Sequence, residues 1–406
     1  MPLTDRLRLS LMMFLNYVIW GAWYTTISTY LMNPKTLNFS GTEAGAVFGT
    51  AALACMISPF FVGMVADRFF ASEKVLGTLH LIGAVLLYSV TRVTSFGSVY
   101  AIMFAYCLCF FPTVSLTNSL TLRQIKDPGR DFPLIRVFAT IGFFVIVNVI
   151  GWLRVEDSAD QFLIAAGASV AMGIYSFTLP HTPAPNKGQA ITIRRVLGLD
   201  ALVVFKEPSF LVFVIASILG CIPLAFYFSF TNTYLNEMHV VNAAGKMSLG
   251  QFSEIFMMLL MPFIFRRVTV KGILIAGLGA WTVRYCLLAY GNADSGMWMF
   301  YLAILLHGVC YDFFFVTGQL YTDQEAPPNL RAAAQGLIIF LTLGVGMFIG
   351  SLISGGAVDY FTHTVNGVAV RDWQSFWLTS SAGAGVILLM LLVFFRSKAK
   401  VVPAAA

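Results

Sequence analysis

The sequence predicts an all-α membrane protein with twelve transmembrane helices, arranged as two pseudo-symmetric halves of six and with both termini cytoplasmic. Three observations predict this. The 406 residues are 58% hydrophobic and only 11% charged, with mean hydropathy +0.80. The apolar residues gather into helix-length runs, and the basic residues alternate between rich and poor loops. An average soluble protein carries about a quarter charged residues, so this chain has too few to solvate a globule. Water-soluble enzymes and nucleic-acid binders are thereby excluded. The net charge of +6 is spread over many short loops rather than gathered into a stripe for a polyanion.

A helix needs roughly 20 mostly apolar residues to cross about 30 Å of hydrocarbon, and lipid leaves no partner for an unpaired backbone group. Runs of that kind occupy 7–31, 42–66, 75–91, 98–120, 133–153 and 161–179, and then 209–235, 247–265, 272–290, 297–321, 331–353 and 375–395. Between the sixes lies the polar stretch 181–208, with Pro183, Pro185, Lys187, Arg194 and Arg195. The domains are therefore an N-terminal half, 1–180, a cytoplasmic linker, 181–208, and a C-terminal half, 209–400.

Basic residues in short loops favour the cytoplasmic side. One side collects 18 of them, among them Arg6, Arg8, Lys74, Arg123, Arg195, Arg266, Arg331 and Arg396. The other holds five: Lys35, Arg92, Arg154, Lys246 and Arg371. This asymmetry places both termini inside. Arg6 and Arg8 before an apolar run imitate a signal peptide, but the run is long, aromatic-rich and without an obvious small-residue cleavage site, so it reads as the first helix. All six cysteines fall within spans as small buried hydrophobes, and no disulfide or metal framework is expected.

The halves echo one another. The fifth span of each opens after a proline-bearing loop with an arginine near its start, Arg136 after Pro128 and Pro133, Arg331 after Pro327 and Pro328. Repeats of this sort place a solute site near the midplane between them and allow alternating access. After the second span, Gly63-Met-Val-Ala-Asp67-Arg68 resembles the G-x-x-x-D-R loop signature of the major facilitator superfamily. Asp67 at the C-terminal end of a helix faces the unfavourable end of its dipole and wants a cationic or helix-N-terminal partner across a cytoplasmic gate. The plainer alternative is a solvated turn charge.

Charges within spans are the sharpest functional signal, because each costs about 2.5–3.5 kcal/mol even on the mildest scale. Four lie well inside: Arg136, Glu254, Arg284 and Asp312. Asp312, in His307-Gly-Val-Cys-Tyr311-Asp312-Phe-Phe-Phe, has an aromatic setting that suits a reversible proton carrier; the alternative is a permanent ion pair with Arg284. Gln251 and Glu254 are three apart and share a face, offering an amide and a carboxylate to a polar solute, unless Glu254 neutralises Arg284. Arg136, Thr140 and Phe143 at i, i+4 and i+7 form one stripe on which a base or sugar ring could stack, unless Arg136 snorkels to headgroups as Arg331 is expected to. His307 and Tyr311 face the same way, as a second titratable pair or as helix-packing hydrogen bonders.

The segments Asp131-Phe-Pro-Leu-Ile-Arg136-Val-Phe-Ala-Thr140-Ile-Gly-Phe143, Leu197-Gly-Leu-Asp200-Ala, Trp281-Thr-Val-Arg284 and Asp372-Trp-Gln374 together resemble the nucleoside:H+ symporter family of the major facilitator superfamily, a likeness that begins at Trp20-Gly-Ala-Trp23. The resemblance implies proton-driven nucleoside uptake across a bacterial inner membrane by a lipid-embedded, multi-pass monomer with no cofactor beyond the proton gradient. Arg136, Thr140, Phe143, Gln251 and Glu254 match positions the family uses around the nucleoside, and Asp312 matches its acidic residue implicated in proton coupling. Ala225 and Phe228 stand where that pattern has amides, His307 replaces a tyrosine and Tyr311 a phenylalanine. Such exchanges of buried donors and acceptors alter specificity strongly. The alternatives are a transporter of a similarly sized hydroxylated solute such as a sugar conjugate, and a proton-coupled exporter of amphipathic compounds, mildly supported by Ala225 and Phe228. An intramembrane enzyme or sensor lacks a metal motif, a nucleophile with a base and a soluble domain.

Overall fold

Helix ends in this chain follow capping chemistry. In the computed structural model, which describes residues 3–61, 70–183, 199–366 and 368–396, the Asp127 side chain accepts from the Arg130 N–H at 3.2 Å and Pro128 takes the first helical position. That opens α6, Pro128–Leu153, which stops where Arg154 turns left-handed at φ 58°. Proline serves there because its missing N–H would be unpaired in a first turn anyway. Before it run α1 (Leu3–Gly21), α2 (Ile27–Met32), α3 (Gly41–Phe61), α4 (Ser72–Val90) and α5 (Phe96–Gln124), and after it α7 (Asp160–Ser176).

The expected first span is split. Between α1 and α2 the chain turns over 22–26, where side chains carry part of the hydrogen bonding: Trp23 Nε1 donates to Tyr106 Oη at 3.2 Å and Thr26 Oγ1 to Gln161 Oε1 at 2.7 Å. Gln161 in turn donates to the carbonyls of Glu156 and Ser158. In α1 and α6 the backbones meet at Gly142, where any Cβ would overlap the Phe14 carbonyl oxygen. Beyond α7, Glu73 accepts from His181 Nδ1 at 2.8 Å and from the Thr182 N–H at 3.0 Å, tying the end of this unit back to α4.

A 3-10 stretch, Leu199–Lys206, precedes α8 (Pro208–Glu237). Then follow α9 (Ala243–Met247), α10 (Leu249–Arg267), α11 (Val270–Tyr290) and α12 (Met297–Tyr311). A π-helical segment, Asp312–Val316, joins α12 to α13 (Thr317–Glu325), and a second, Phe340–Gly346, joins α14 (Arg331–Ile339) to α15 (Met347–Tyr360). A hairpin of β1 (Thr362–Val365) and β2 (Val368–Arg371) precedes α16 (Trp373–Phe394), which Asp372 caps through the Ser375 N–H at 3.0 Å. Arg371 at the end of β2 and Trp373 at the start of α16 both donate to Glu237, the last residue of α8.

Among the described residues, ten helices or continuous helix runs are long and apolar enough to cross a membrane. Of the twelve expected spans, the other two are the split first one and α7, which has only 17 residues. The chain divides into two compact units, 1–39 with 46–193 and 40–45 with 194–406, so the break falls inside the stretch 181–208. In the first, α1 packs on α6 and α7, and α4 on α5 and α7. In the second, α11 packs on α12 and α16, α10 on α12, and α8 on α15 and α16.

Candidate functional site

In the first unit the stripe on α6 is as spaced in the sequence. Arg136, Thr140 and Phe143 are all half-buried. Arg136 is held by an aromatic residue: its Nη2 donates to Tyr17 Oη at 2.6 Å and its guanidinium lies 4.6 Å from the centre of the Tyr17 ring. A cation held against an aromatic face and a hydroxyl is partly relieved of its cost in an apolar region. Its echo, Arg331, is half-exposed and sits 3.7 Å from Asp323. Phe143 meets Trp20 edge to face at 5.8 Å, and Trp20 meets Tyr17 at 5.6 Å. The Trp20 indole N–H is buried without a hydrogen-bond partner. Tyr17 and Trp20 carry no charge; their signal in the sequence is the aromatic spacing of Tyr17 and Trp20 on α1, continued by Tyr24 in the turn that follows.

In the second unit, small residues bring α10 and α12 together. A Cβ on Gly308 would overlap the Ser253 carbonyl oxygen, and one on Gly250 would touch the His307 ring at 3.3–3.4 Å. Gln251 and Glu254 therefore sit on the helix that lies against His307. Arg284, fully buried on α11, donates from Nη1 to His307 Nδ1 at 3.1 Å and lies 3.5 Å above the Tyr227 ring. Its Nε and Nη2 make no hydrogen bond. The alternative of an ion pair between Asp312 and Arg284 is not formed: among the described residues neither of the buried Asp312 carboxyl oxygens has a hydrogen-bond partner. The residue holding Arg284 is instead His307, with Tyr227 beneath, a neutral pairing that a search for opposite charges does not find.

Asp312 opens the π-helical segment, fully buried. Such segments occur often at functional sites because they shift the helical phase and re-aim side chains. Tyr311, half-buried, stacks obliquely on His307 at 5.7 Å and on Phe315 at 4.9 Å, and borders a cleft with Ser217, Phe315, Gln319 and Thr342. Both π-helical segments contribute to that cleft.

Ala225 does not line a solute face. It is fully buried against α15, and a side chain on Gly350 would begin 2.8 Å from its Cβ. The apolar residue there is a packing contact of α8 with α15, which removes its support for an amphipathic cargo. Phe228 stands edge-on to the His307 ring at 5.7 Å. The gate residues Gly63, Asp67 and Arg68 lie outside the described residues.

Long apolar helices that bury an arginine, an unpaired carboxylic acid and two polar faces are those of a multi-pass membrane transporter. The model of the family described as "Nucleoside H+ symporter" matches residues 3–400. The chain belongs to the nucleoside H+ symporter family. It is 38% identical to the transporter YegT of Escherichia coli strain K12 over 96% of this chain and 93% of that one. The xanthosine permease of the same strain is 34% identical, over 96% and 94%. The crystal structure of the nucleoside transporter NupG superposes with a TM-score of 0.89 at 30% identity, over 98% of this chain and all of that one.

Proposed function

We propose that this protein is a proton-coupled symporter that imports a nucleoside across the bacterial inner membrane by alternating access. The helices cross twelve times, with the split α1–α2 run and α7 completing the set, and both termini are cytoplasmic, as the basic-residue asymmetry requires. The driving ion is the proton, no bound cofactor takes part, and the working unit is a monomer. The residues proposed to meet the solute are Arg136, Thr140, Phe143, Gln251, Glu254, His307 and Tyr311. The loop 63–68 serves as the cytoplasmic gate.

The single observation that carries this reading is Asp312, a fully buried carboxyl whose two oxygens lack hydrogen-bond partners among the described residues. A charge in that setting is costly, whereas a protonated carboxyl is tolerated, and a group that must gain and lose a proton during a cycle needs to have no fixed counter-ion. Protonation and solute binding then jointly favour the same conformer, so the inward proton gradient drives the solute inward.

The test is uptake of radiolabelled uridine and adenosine into vesicles containing the protein, with and without a protonophore. Protonophore-sensitive accumulation of either is expected. Equal internal and external concentrations with a gradient imposed would sink the coupling, and no entry at all would sink the substrate.

A further inference from the structure

We propose that His307 is the specificity-determining residue of the second unit, a fixed hydrogen-bond donor that the solute meets through an oxygen acceptor. The inference rests on the nucleoside reading above and deepens it.

A guanidinium has only donors, so the contact of Arg284 Nη1 with His307 Nδ1 at 3.1 Å can be made in one way: Nδ1 accepts. The ring proton then resides on Nε2, and the tautomer is set by the neighbour rather than by the solute. The ring is also held in place. Tyr227 stacks on it at 5.5 Å and 23°, Phe228 stands across it at 5.7 Å and 87°, and Gly250 closes against it. Arg284 is itself pinned over Tyr227. A tyrosine hydroxyl can turn to donate or accept, but this imidazole cannot.

His307 is only 2% exposed, and its Nε2 makes no hydrogen bond among the described residues. A donor on α12 therefore goes unmet, and the chemistry that satisfies it is an oxygen acceptor. Two parts of a nucleoside supply it: the C=O and N–H edge of an oxo-base, or a ribose hydroxyl, which accepts and donates at one atom. An amino group in the oxygen's place would present a hydrogen to a hydrogen and leave a buried group unpaired.

The experiment is competition against uptake of whichever of labelled uridine and adenosine accumulates, in vesicles containing wild type, His307→Phe or His307→Gln. Inosine against adenosine and uridine against cytidine read the base, and 2′-deoxy and 3′-deoxy analogues read the sugar. The wild type is expected to prefer the oxygen-bearing member of one set by about tenfold or more, about 1.4 kcal/mol. His307→Phe should erase that preference, and His307→Gln, whose amide can turn to present either its N–H or its C=O, should erase most of it. The set that discriminates identifies the source of the oxygen. The inference is overturned if the wild type discriminates in neither set, or if His307→Phe transports with its discrimination unchanged. Should His307→Phe fail to fold, unchanged discrimination in an active His307→Gln overturns it equally. Absence of uptake of every nucleoside by the wild type would remove the transport reading and this inference together.

Discussion

The hydrogen bond from Arg136 to Tyr17 turns an intramembrane cation into a positioned one, because ring and hydroxyl together fix where the guanidinium lies. Replacing Tyr17 with Phe keeps the ring and removes the acceptor. The expected outcome is a several-fold rise in the KM for uptake, with a stability loss of about 1 kcal/mol or less, read by uptake kinetics and thermal unfolding in detergent. Ala225→Gln should not improve nucleoside binding despite the resemblance of the neighbouring positions. Its longer side chain would grow toward Gly350, so about 1–3 kcal/mol of destabilisation is expected from overpacking, and tighter nucleoside binding by a stable variant would disprove the packing role. At this scale the sequence reveals the stripe Arg136, Thr140 and Phe143, since periodicity tells which residues share a face. It does not reveal which neighbouring helix supplies the partner. Tyr17, Trp20 and Tyr227 are neutral, and a search for opposite charges passes over a cation resting on an aromatic ring.

The elements depend on a few close approaches and caps. Gly308 lets the α12 backbone reach the Ser253 carbonyl, and since that partner is backbone it cannot turn aside. Gly308→Ala should destabilise by about 1–3 kcal/mol and weaken transport by moving His307 away from Gln251, whereas Gly383→Ala, with open space at its Cβ, should do neither. Asp372 at the head of α16 is held below the ordinary aspartate range by hydrogen bonds from the Ser375 hydroxyl and N–H. A carboxyl whose folded pKa is depressed stabilises fully above its unfolded pKa of about 3.9 and loses that contribution as pH falls through the lower folded value. Asp372→Ala should therefore cost about 1 kcal/mol at neutral pH, and the difference from wild type should vanish in strong acid, as pH-dependent unfolding would record. Helix boundaries of this kind are legible because caps are local chemistry. The two π-helical segments are not, since an i→i+5 shift has no residue signature and arises from packing. The hairpin was legible: Asn366 followed by glycine between Val365 and Val368 is the strongest short hairpin signal, and Asn366 adopts φ 51°.

For the whole molecule, composition and loop charge were enough to predict the class, because the bilayer penalises unpaired backbone and charge so heavily that few sequences satisfy it. What composition leaves open is whether solute movement is tied to the proton, and that tie is a property of the full cycle rather than of any helix. If one proton accompanies each neutral nucleoside, a membrane potential of 100 mV contributes about 2.3 kcal/mol per cycle. At about 1.4 kcal/mol per tenfold ratio, this sustains roughly 40-fold accumulation, before any contribution from the pH difference. Asp312→Asn keeps the shape of the carboxyl and removes the titration, so the variant can still bind and exchange solute but has no proton to carry. In vesicles with an imposed potential, the wild type should concentrate nucleoside by tens of fold, and Asp312→Asn should bring it only to the outside concentration while counterflow continues. Uphill accumulation by Asp312→Asn would remove Asp312 as the coupling site and direct attention to Glu254, the other carboxylate within the spans.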